Sequence, residues 1–71
     1  MLEVWKIDPN SWNVDKDGKY TGPVLVRLVS RHRKAARALA VVESARDLEA
    51  CDSDGKQIAY YTLCNLALEE G

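Results

Sequence analysis

Short alternating stretches open the chain. Residues 3 to 7, "EVWKI", set β-branched and aromatic side chains in a run that ends at Pro9, Asn10 and Ser11, and this predicts a short strand. In "SWNVDKDGKYTG", Trp12 and Val14 precede a turn and Tyr20 follows it. Asp17 and Gly18 between them accept the positive φ that a tight hairpin turn requires, so a two-stranded ribbon is expected here.

From Pro23 the period changes. Leu25, Leu28, Val29, His32, Ala36 and Leu39 recur at spacings of three and four, while Arg27, Ser30, Arg31, Arg33, Lys34 and Arg37 fill the remaining arc. This is the pattern of an amphipathic helix, with Thr21 or Gly22 as N-cap and Pro23 at the first helical position. The β-branched "VLV" carries an alternative, in which Val24 to Val29 is a strand that hands over to a helix near Ser30.

After Ala40 the apolar phase slips. Val41, Val42, Ala45 and Leu48 fall on the side that the basic residues held, so a break is expected near Glu43 and Ser44, with Ser44 and Asp47 as a capping-box variant. The last segment, "KQIAYYTLCNLALEE", follows Ser53 and Asp54, either of which can cap a helix, and it is apolar nearly all round. Such a helix is central to a core or forms half of an interface.

These elements predict one small α+β domain over residues 1–71, with an N-terminal strand and β-hairpin packed on two or three helices. The alternative is a ββαβ arrangement with Val24–Val29 and Gln57–Leu63 as strands. A chain of 71 residues buries roughly 60% of the surface it exposes when unfolded, so a partner or a second copy would add to its stability.

Composition narrows the function classes. Apolar residues at 46% and charged residues at 30% suit a folded globular chain. The net charge of −1 gives no global attraction to nucleic acid or to anionic membrane, so an electrostatic partner must be read by a local patch. The start "MLEVWKIDPN" lacks the basic and apolar regions of a signal peptide, and no apolar run is long enough to span a bilayer. A cytoplasmic protein without a membrane role is expected. Cys51 and Cys64 are read as free thiols, since a hairpin of helices or strands turning near Asp52–Gly55 holds them too far apart for a bridge.

Two five-residue stretches, "DKDGK" at 15–19 and "DSDGK" at 52–56, resemble the start of a calcium loop. Counted from Asn13, the twelfth position is Val24; counted from Ala50, it is Tyr61. Neither supplies the bidentate carboxylate that such a loop needs, and a lysine follows each glycine, so turn chemistry is the better reading. The first stretch is expected to close a hairpin, the second to end one helix and cap the next. His32 is expected as a hydrogen-bonded core or boundary residue, because no CxxC or HxxxH pair joins it in a zinc site. With no nucleophile elbow and no glycine-rich phosphate loop, no enzyme activity, metal or cofactor is expected.

Arg27, Arg31, Arg33, Lys34 and Arg37 place five cations in 11 residues, followed by the acidic Glu43, Asp47, Glu49, Asp52 and Asp54. Of the five aromatics, Trp5 and at least one of Tyr60 and Tyr61 are expected in the core, with Trp12 and Tyr61 as the interface candidates. The expected function is a small protein-interaction module, an adaptor or inhibitor of the phage-modulator type. It would dock on an acidic surface of a larger protein through a basic helix face formed by Arg27, Arg31, Arg33, Lys34 and Arg37, with Trp12 and Tyr61 beside it. The alternatives are a nucleic-acid-binding module that uses the same helix, and a homodimeric structural subunit.

Overall fold

The computed structural model describes residues 1–70. Strand β1 covers Leu2–Val14 and β2 covers Tyr20–His32; helix α1 follows at Ala35–Ser44, then β3 at Leu48–Cys51, β4 at Gln57–Ile58 and helix α2 at Tyr60–Glu70. The fold is α+β, an antiparallel sheet in the order β2-β1-β3-β4 with both helices packed against it. The strand over residues 3–7 and the ribbon around Asp17–Gly18 are both present, as parts of one long hairpin.

The basic segment departs from the helical expectation. Tyr20–His32 is a strand paired to β1 from Leu2↔His32 to Val14↔Tyr20, and the helix begins only at Ala35. The strand alternative over Val24–Val29 is therefore the correct one. The physical reason is that Val24, Val26 and Val29 favour extended backbone, and that β1 offers a pairing partner of equal length, which a count of helical spacings does not register. The break near Glu43–Ser44 is real, since α1 ends at Ser44. The chain then enters β3 rather than a capped helix, through Asp47 at a left-handed φ of 61°. In the last segment only Gln57–Ile58 is strand, and the helix starts at Tyr60.

Alternation divides the sheet into two faces. Val4 and its cross-strand neighbour Ala50 are fully buried with Ala35 and Ala38 of α1 and Leu63 of α2, and Leu2, Leu48 and Ile58 pack against this cluster. Three alanines at the contact let α1 approach the strands closely. Because β2 and β3 flank β1, the connection through α1 crosses over β1.

The opposite face is shaped by curvature. Beyond Lys6, β1 has no partner in β3, and the distal hairpin projects as an arm that brings the long dimension to 40 Å. Register shifts leave Thr21, Val26 and Val29 as single extra residues in β2, and Pro9, Asn10 and Ser11 as extra residues in β1. Such bulges bend and coil a ribbon. The start of β2 thereby reaches β4, at the other edge of the sheet, where the Gln57 side-chain amide lies 3.5 Å from the Pro23 carbonyl. Gly22, with φ of 142°, is pressed so close that a Cβ there would collide with the Gln57 side-chain amide. Cys51 shares its face with Gln57, away from the helices, and is nevertheless fully buried.

Candidate functional site

The two DxDGK stretches have the same geometry. Asp15 and Asp52 each donate their N–H to the carbonyl of the lysine four residues on, at 2.9 Å, and accept from the glycine N–H at 3.0 Å. Each Oδ1 takes two further backbone amides at 2.9 Å, those of Asp17 and Lys19 in the first turn and of Asp54 and Lys56 in the second. Both glycines have φ of 81°. The second stretch thus closes the β3–β4 hairpin and does not join two helices; it differs from the first only in Ser53 for Lys16 and makes the same turn. Among the described residues no three His, Cys, Asp or Glu side chains are grouped as metal ligands require.

The five cations do not share a helix face. Arg27 and Arg31 lie on β2, Arg33 and Lys34 form the link to α1, and Arg37 is in the first turn of α1; all five are exposed. Arg31 is committed, its Nε donating to Glu3 Oε2 at 3.0 Å, while Trp5 Nε1 donates to the other oxygen at 3.2 Å. Arg27 stands opposite Lys6, an unfavourable pairing of like charges. Lys6 has Asp47 at 3.8 Å. Among the described residues Arg27, Arg33, Lys34 and Arg37 form no ion pair.

The start of α1 is capped from elsewhere. Lys34, at the N-cap position, supplies no side-chain bond. The Glu70 carboxylate at the end of α2 accepts the Ala35 and Ala36 amides instead, and these two bonds, with Lys34 nearby, hold its carboxyl below the ordinary value. Lys34 is therefore partly screened by Glu70, whereas Arg27, Arg33 and Arg37 face solvent.

The two aromatic candidates are exposed, but on different elements. Trp12 is 59% exposed on the arm, and Tyr61 is 72% exposed on α2, which packs on α1 and β3. Beside Trp12 on the arm, Val14, Tyr20 and Val26 are exposed as well; Val14 lies directly opposite Tyr20. The cross-strand pair Asn13 and Gly22 lines an open cavity of about 160 Å³ with Pro23, Leu25, Lys56 and Gln57. The arm thus exposes four large apolar or aromatic side chains, while Gly22 and Pro23 hold it against Gln57.

Other expectations resolve as follows. His32 is half-buried with Nε2 2.8 Å from Ser30 Oγ, a boundary residue on β2. Trp5 is half-buried, and neither Tyr60 nor Tyr61 enters the core, because the buried side of α2 is supplied by Leu63, Leu66 and Ala67. Tyr60 instead donates to Glu43 Oε2 at 2.6 Å, and that bond, with Cys64 beside it, pushes the phenol up to about 12. Cys51 and Cys64 are free thiols, and burial pushes Cys51 up, with Glu3, Glu49 and Asp52 adding to the effect. No helix among the described residues is long and apolar enough to cross a membrane. Comparison with protein-family models, with curated proteins and with solved structures finds no match to this chain.

Proposed function

We propose that this chain is a non-enzymatic protein-interaction module, an adaptor or inhibitor that docks on an acidic surface of a larger protein in the cytosol. The observation that carries the reading is a segregation of charge. From Gly18 to Val42 the sequence holds every one of the five cations above and no Asp or Glu. Folding spreads that segment along one edge of the sheet and into the start of α1. Exposed Trp12, Val14, Tyr20 and Val26 on the adjoining arm add the apolar and aromatic surface that interfaces favour.

Affinity purification from cells that express the chain, comparing wild type with Arg27→Glu/Arg33→Glu/Arg37→Glu, tests the reading. An acidic protein partner should be lost with the charge reversal. A partner retained by the triple variant rules it out, and a gel shift that weakens steeply with salt would favour nucleic acid instead. A homodimer has its own support in Tyr61 and Leu68, 72% and 77% exposed and two turns apart on α2. Light scattering during size exclusion decides that second reading, and a monomer at high concentration ends it.

A further inference from the structure

Resting on the interaction-module reading, we propose that the free edge of β2, from Val24 to His32, takes up an extended acidic segment of another protein by strand addition. β2 is the outermost strand, with β1 on one side and no strand on the other. The outward backbone groups of such a strand are a ready template for pairing. The edge is bounded at one end by Gly22 and Pro23, held against Gln57, and at the other by the start of α1 at Ala35.

The side chains along this edge select the occupant. The extra residues Val26 and Val29 are turned toward solvent, 60% and 39% exposed, and each is followed within two positions by an exposed arginine, Arg27 and Arg31. The register sets Arg27, opposite Lys6, and Arg31, opposite Glu3, on different faces, so the free charge of this edge is Arg27 with Lys6 beside it and Arg33 just beyond. A second copy paired along β2 would bring more cations to the edge and no acid to meet them, since Gly18 to Val42 holds no Asp or Glu. A segment that alternates Glu or Asp with apolar residues can set its acids on the face of Arg27 and Lys6 and its apolar side chains on the face of Leu25 and Leu28. The bulges divide the edge into short regular runs, so charge contributes much of the selectivity and the added strand is short.

A ten-residue peptide with blocked ends, alternating Glu and Val, is the probe, titrated at neutral pH into isotope-labelled protein and followed by NMR. Shift changes and slowed amide exchange are expected within Val24–His32. Arg27→Glu/Arg33→Glu should weaken binding at least tenfold and should instead bind the peptide that alternates Lys and Val. Arg31 is left in place because it holds Glu3. Circular dichroism of the variant, whose changed side chains are exposed, confirms that it folds.

The proposal is overturned by absence of binding to the folded wild type, by equal affinity in the variant, or by shifts confined to the arm tip or α2. It is also overturned if an oligothymidylate, and not the peptide, perturbs β2. If the peptide fails while charge reversal still abolishes the partner in affinity purification, strand addition is wrong and the interaction module stands. If the peptide binds as stated while the partner survives reversal, the module reading fails by itself.

Discussion

The Glu70 carboxylate accepts the Ala35 amide at 2.6 Å, joining the last turn of α2 to the first turn of α1. A carboxylate is unfavourable at the C-terminal end of its own helix and favourable at the N-terminal end of another, so its place is set by α1. Glu70→Gln should lower the melting midpoint by on the order of a few degrees. Because the folded carboxyl lies below its ordinary 4.5, the stabilisation is complete above that pH and is lost as pH falls through the lowered value. Thermal melts of wild type and Glu70→Gln from pH 7 to 3 should converge at the acid end; a constant gap would show that the charge is not what caps α1.

The twin turns predict twin costs. A Cβ at Gly18 or Gly55 meets nothing within 4 Å, and both φ values are 81°, so alanine at either position is penalised by backbone strain alone. Gly18→Ala and Gly55→Ala should each destabilise by about 1 kcal/mol in denaturant melts. Gly22→Ala should do more, since its Cβ also displaces Gln57, and amide exchange of the arm should quicken.

On α2 the two faces differ sharply. Leu63 is 1% exposed within the core and Leu68 is 77% exposed. Leu63→Ala should cost about 2–5 kcal/mol and Leu68→Ala less than about 0.5 kcal/mol, measured by urea unfolding. A large loss at Leu68 at high protein concentration only would instead reveal that a second copy covers it.

The bond between Tyr60 and Glu43 leaves a spectroscopic mark. An alkaline titration followed by tyrosinate absorbance should show one phenol ionising near 12, and Glu43→Gln should move that step to lower pH. A raised phenol means that the folded state holds its proton longer. The stability it contributes is therefore complete below pH 10 and is lost as pH rises through about 12.

Much of the fold was legible because local chemistry decided it. The hairpin at Asp17–Gly18, the break near Ser44 and the last helix, expected from Lys56 and formed from Tyr60, each rest on turn residues, a phase slip or an apolar run in the segment itself. The second DxDGK turn was misread although the first was read correctly. Its flanks, "LEAC" and "QIAY", pair too briefly to show strand periodicity, and only the contact of β3 with β1 makes them a hairpin. Of the site, Trp12 and Tyr61 were legible as exposed aromatics. The exposed Val26 was not, because it depends on a bulge that arises only when β1 and β2 take register.

The residues by themselves determined an α+β chain with segregated charge, two Asp-Gly turns and a helical end, since turn preference, burial and charge act within a few positions. Tertiary structure decided whether Val24–His32 is helix or strand, because helical spacing and β-branched content were in balance until β1 supplied a partner. It likewise decided where the cations face. The same five residues that would have lined one helix became the edge of a sheet and the start of α1, set by pairing between positions about 30 residues apart, such as Leu2 and His32.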